Sequence, residues 1–88
     1  MMLEKPPEWW DFELELSPRI EDRMIDRGFS EADLRLMIEV AQALGVGKTP
    51  GRWIVRTSHL GEAWEVVVEP DELDRVIVVI TAYKVTTW

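Results

Sequence analysis

Five side chains in the C-terminal half of this 88-residue chain are of the types that phosphodiester chemistry uses. His59 is the only histidine, and so the only side chain whose ordinary pKa lies near neutral pH. It falls in a turn after a predicted strand, residues 51–57, on which Arg52 and Arg56 share one face. Thr81 and Tyr83, two apart on the last predicted strand, also share a face. Metal-free RNA cleavage needs one group to accept the 2′-OH proton, another to protonate the leaving oxygen, and cations for the phosphorane charge. A histidine, arginines and hydroxyls near one sheet edge supply those types. A lone histidine in a turn is more commonly just solvated, so the set is suggestive rather than specific.

A second cationic feature lies upstream. In RIEDRMIDRG, residues 19–28, Arg19, Arg23 and Arg27 recur every four residues. On a helix they fall within about 80° of one another. Asp22 and Asp26 lie beside that face, and local pairing with them is expected to neutralise much of the stripe. Arg23 is expected to matter more than Arg27, because its stem can pack beside Met24 and its guanidinium can reach a phosphate or orient Tyr83.

Other motifs are weaker. GVGKT, residues 45–49, resembles a phosphate-binding loop only in part. The first glycine of that motif would fall on Gln42, and the segment follows a predicted helix instead of opening one. With one histidine and no cysteine, no metal-ligand spacing is present, and no cofactor is expected. The five tryptophans are many for this length. Trp53 and Trp64 are expected to face each other across a hairpin. Trp9, Trp10 and Trp88 are expected to cover the end of the core, or else to anchor a partner chain.

The length suits one domain with one modest core, and 47% hydrophobic with 31% charged residues describes a globular chain. The absence of cysteine fits a reducing, cytoplasmic setting. The longest apolar run, residues 76–80, is far shorter than the roughly 20 residues of a membrane span. The N-terminus carries acids and prolines and does not read as a signal peptide. The formal net charge is −7, so the overall field opposes nucleic acid, and any RNA site requires a local basic patch.

The elements that would position these residues can be read from pattern. Residues 1–11 read as an extended lead-in and 12–88 as a single α+β domain. Phe12-Glu13-Leu14-Glu15-Leu16 alternates as a half-buried strand. Ser17-Pro18 opens a helix that ends at Gly28. Ser30 opens a second helix, which Leu34, Met37, Ile38 and Ala41 stripe at helical spacing up to about residue 44. Leu36, Val40 and Leu44 widen that stripe. Strands at 51–57, 64–69 and 75–84 then follow, the last being the most apolar and so expected to be the most central. The expected order is β-α-α-β-β-β: an antiparallel sheet with both helices on one face, and a core that includes Val55, Val66, Val68, Val78 and Ile80.

The stretches WWDFELELSP (9–18), DRMIDRGFSEADLRLMIE (22–39), GRWIVRTSH (51–59), WEVVVEPD (64–71) and VIVVITAYKV (76–85) resemble a family of small bacterial proteins similar to RelE-like and BrnT-like toxins of toxin–antitoxin modules. The resemblance implies a RelE-like, BECR-type fold with a ribonuclease site on the sheet. It assigns Arg23, His59, Thr81 and Tyr83 to catalysis, and Arg19 stands where the family pattern has histidine. Arg19, Arg52 and Arg56 are the expected substrate-binding residues. The expected function is therefore a toxin-like domain, either a metal-independent RNA endonuclease or a relative that has lost catalysis. Its expected partners are an antitoxin protein and an RNA substrate. The alternative is a non-catalytic interaction module that uses the sheet or the terminal tryptophans. A basic antitoxin tail would be attracted to the acidic surface.

Overall fold

In the computed structural model, which describes residues 6–86, the first strand β1 (Glu13–Leu16) leads into helix α1 (Pro18–Arg27) and helix α2 (Glu31–Glu39). Four further strands follow: β2 (Ala43–Val46), β3 (Trp53–His59), β4 (Glu62–Asp71) and β5 (Val76–Lys84). The result is the expected α+β architecture, with both helices on one face of one sheet. Among the described residues, no helix is long and apolar enough to cross a membrane.

The helix boundaries follow from their caps. The Ser17 hydroxyl accepts a hydrogen bond from the Ile20 N–H at 3.3 Å, and Pro18 occupies the first turn, where a missing N–H costs nothing. The helix stops at Gly28, whose N–H still reaches the Met24 carbonyl at 2.9 Å and whose φ of 70° turns the Phe29 N–H onto the same carbonyl at 3.2 Å. At α2 the Ser30 side chain and the Asp33 carboxylate bond each other's backbone N–H groups, at 3.1 and 2.9 Å, in a closed capping box.

The sheet departs from expectation in three ways. Its order is β1-β5-β4-β3-β2, and β1 pairs with β5 in parallel, so the sheet is mixed and not antiparallel throughout. The central strand is β4, with β5 second from one edge. A fifth strand, β2, also occupies residues expected to be the end of the second helix. After Val40 the chain leaves the helix, the Gln42 N–H donates to the Arg56 carbonyl at 2.8 Å, and residues 43–46 zip antiparallel onto β3. Apolar residues at helical spacing here fill a strand because β3 offers a continuous row of backbone partners. Leu44 still packs against the core, but Leu36 is mostly exposed.

The core lies between the helices and one sheet face. Ile20, Phe29, Leu34, Met37 and Ala41 meet Val55, Trp64, Val66, Val68, Ile77, Val79 and Ala82. Val78 and Ile80 were expected inside, yet Ile77 and Val79 take those places while both expected residues are only half-buried. The cause is a bulge. Val67 pairs with Thr81 and Val68 with Val79, which leaves Ile80 as an extra residue and reverses the alternation on either side of it. The N-cap residue Ser17 closes the bulge: its hydroxyl donates to the Ile80 carbonyl at 3.0 Å and its N–H to that of Val79 at 3.2 Å.

The N-terminal lead-in is not extended throughout. Glu8–Asp11 forms a 3-10 turn that buries Trp9 against Trp53, with ring centroids 5.9 Å apart. Trp9 therefore caps the core, as one of the two expectations had it, while Trp88 lies outside the described residues. Trp53 and Trp64 are not cross-strand partners, because the register pairs Trp53 with Val68 and Trp64 with Thr57.

Candidate functional site on the helix-free sheet face

Register alone places every side chain of the sheet on one of two faces. Thr57 donates its hydroxyl to the Met37 carbonyl, so Thr57 and its alternates Trp53, Val55 and His59 face the helices. The neighbours Ile54, Arg56 and Ser58 face the other way, where no helix covers them. Reading across the strands, that open face carries three rows. Tyr83, Glu65 and Arg56 form one, and Thr81, Val67 and Ile54 the next. Glu15, Val78 and Glu69 form the third, with Arg52 reaching Glu69 from the start of β3. Glu13, Val76 and Asp71 continue the face toward the β4–β5 hairpin.

The expected site residues are thus divided. Arg52, Arg56, Thr81 and Tyr83 come together on the open face. His59 lies on the opposite face, edge-on to Trp64 at 5.8 Å and to Phe29 at 6.3 Å, in an aromatic cluster at the hairpin end. Arg19 and Arg23 belong to α1, on the helix side, with Arg23 half-buried and Arg19 exposed. Among the described residues no carboxylate lies within 4.0 Å of Arg19, Arg23 or Arg27, so the stripe is not neutralised by direct pairing with Asp22 or Asp26. The hydroxyl of Tyr83 is oriented not by Arg23 but by Glu65.

Glu65 is the residue that sequence reasoning passed over. Its carboxylate accepts the Tyr83 hydroxyl at 2.8 Å and lies 3.5 Å from the Arg56 Nε, with its side chain 16% exposed. The signal was present as a glutamate in an alternating strand, WEVVVE, on the face opposite Val66 and Val68. Its tie to Tyr83 needs the β4–β5 register, which the bulge makes unreadable from sequence. Burial, together with donation to Glu65, pushes the Tyr83 phenol above its ordinary value of 10.0, although Arg56 pulls the other way. Tyr83 is therefore a protonated hydrogen-bond donor throughout the neutral range.

The charges on this face are largely spent on one another. Arg52 Nε is 3.1 Å from Glu69, and Arg56 is held by Glu65. Three carboxylates of the face, Glu13, Glu15 and Asp71, have no cation within 4.0 Å among the described residues. They lie along the β1 margin and the hairpin end, beside half-buried Val76 and Val78. Arg75, at the same hairpin, is turned over the Phe12 ring at 4.9 Å. No group of three or more His, Cys, Asp or Glu among the described residues is arranged to hold a metal ion. In comparisons with known proteins, the chain matches no family model, no curated protein and no solved structure.

Proposed function

We propose that this chain is a toxin-like domain that acts by binding: its helix-free sheet face receives a basic segment of a partner polypeptide, as an antitoxin tail would provide. One observation carries this reading. Once the arginine pairs are counted, the open face keeps an apolar middle flanked at β1 by Glu13 and Glu15, which have no ion-pair partner among the described residues, and at the hairpin end by Asp71, whose carboxylate accepts only the Leu73 and Asp74 N–H groups, at 3.0 and 3.1 Å. A segment with alternating basic and apolar residues would place its cations on Glu13, Glu15 and Asp71 and its apolar groups on Val76 and Val78. The net charge of −7 would speed its approach. The separation of His59 from Arg52, Arg56 and Tyr83 supports binding over cleavage, because proton transfer requires donor and acceptor within hydrogen-bond reach of one substrate.

The row Tyr83–Glu65–Arg56 favours a second reading, metal-independent RNA cleavage. Glu65 would accept the 2′-OH proton, Arg56 and Arg52 would face the phosphorane charge, and Tyr83 would donate to the leaving oxygen. The two readings separate in one pair of assays. A short peptide of alternating lysine and valine should bind the wild-type protein, and Glu13→Lys with Glu15→Lys should weaken it by roughly tenfold or more. A labelled single-stranded RNA should remain intact. RNA cleavage abolished by Glu65→Gln, with no peptide binding, would replace the first reading by the second.

A further inference from the structure

The β2 side of the open face, across the sheet from Glu13 and Glu15, has the opposite character. Between the β2–β3 loop and Tyr83 lies a depression of about 210 Å³, lined by Gly47, Lys48, Thr49, Arg52, Ile54, Val67 and Tyr83. Its apolar surface comes from Ile54 and Val67, adjacent partners in the β3–β4 register, and from the Tyr83 ring. The loop is held over the sheet by its own backbone. Gly47 donates to the Arg52 carbonyl at 2.8 Å, and Arg52 donates to that of Thr49 at 3.1 Å. A Cβ at Gly47 would come within 2.9 Å of the Arg52 carbonyl oxygen, so glycine is what permits the loop to close this tightly.

We infer that this depression is a binding site for a monocarboxylate that carries a compact apolar group. The charge around it selects the ligand class. Arg52 is matched by Glu69, and Arg56 by Glu65. The Lys48 ammonium has no carboxylate within 4.0 Å among the described residues and is the one uncompensated cation of the lining. One spare positive charge balances a carboxylate and leaves a phosphate dianion half-neutralised. The Thr49 hydroxyl and the Arg52 Nη groups supply donors that a carboxylate uses. The volume holds a group of roughly side-chain size, since a water molecule occupies about 30 Å³ of liquid. An apolar lining with few polar groups is the general composition of small-ligand sites.

Two sources share this chemistry: a free branched-chain or aromatic acid, and the C-terminal residue of a polypeptide. The inference does not rest on the basic segment proposed above, which would occupy the opposite margin. The test is a titration of isotopically labelled protein, followed by NMR, with isovalerate, isovaleramide, inorganic phosphate, and a short neutral peptide ending in valine as the free acid or the amide. Isovalerate should shift the amides of residues 47–49 and 52, and the isovaleramide should not. Lys48→Ala should weaken isovalerate by about tenfold, the loss of one charge-assisted contact. Glu69→Gln, which releases Arg52, should tighten it. Tighter binding by the peptide acid than by isovalerate identifies a chain terminus as the ligand, and the reverse identifies the small acid; each supports the site. Equal binding of acid and amide, stronger binding of phosphate, no response at the loop, or indifference to both substitutions would overturn it.

Discussion

Tyr83 and Glu65 show how far a single side chain can be read before its neighbours are known. The sequence marks Tyr83 as a hydroxyl on the last strand, but what it does is fixed by the carboxylate beside it. A phenol whose folded pKa lies above its unfolded value holds its proton more tightly in the folded state. Its stabilising contribution is complete below the ordinary value of 10.0 and is lost as pH rises through the higher folded value. Because Tyr83 is the only tyrosine, phenolate absorbance reports it alone. Its spectroscopic titration should be displaced to higher pH in the folded protein. Glu65→Gln, which removes the acceptor's charge, should move it back toward 10.0. A Tyr83 that titrates at its ordinary value in the wild type would mean that the Tyr83–Glu65–Arg56 row does not exist in solution. His59 teaches the converse. Residue type marked it for chemistry, yet its position in β3 is in phase with Val55 and Thr57, and that phase alone puts it with Phe29 and Trp64.

At the scale of elements, local signals were legible wherever one residue decides a boundary. Ser17-Pro18, Gly28 and the Ser30/Asp33 box start and stop the helices as read, since each acts on backbone groups within one turn. Long-range pairing was not legible. The end of α2 gives way to β2 because Arg56, on another strand, takes the Gln42 amide. The alternation of β5 is hidden in a run with apolar residues on both sides, and the bulge at Ile80 then inverts it. The same elements make a paired prediction from GVGKT. Gly45 has open space where an added methyl would sit and a φ outside the left-handed region, so Gly45→Ala should be neutral or stabilise by about 0.4–1 kcal/mol. Gly47→Ala drives a methyl into the Arg52 backbone and should destabilise by about 1–3 kcal/mol. Urea unfolding of the two variants measures both. Equal tolerance at the two positions would show that the β2–β3 loop does not close over the sheet.

For the molecule as a whole, one sheet face is spent on the core and the other is left to the surroundings. The expectation of both helices on one face captured this division, and so did the convergence of Arg52, Arg56, Thr81 and Tyr83. The separation of His59 from them, and the self-pairing of the arginines, required the strand register. What remains on this face after pairing, among the described residues, is an acidic margin at β1 and the Lys48 ammonium across the sheet on the β2 side, on a chain of net charge −7. Binding at the acidic margin must weaken with salt, because exposed charges are screened over about 8 Å at physiological ionic strength. The most direct measurement is an amide shift map of the labelled protein titrated with the lysine–valine peptide at low and high salt, beside the same titration with single-stranded RNA. The peptide should perturb residues 13–15, 69–71 and 76–78, leave the exposed faces of α1 and α2 unchanged, and lose its effect at high salt, while RNA produces no shifts. Peptide shifts centred on α1 and α2, or RNA shifts centred on Arg56, Glu65 and Tyr83, would contradict the assignment of this face to a basic polypeptide partner.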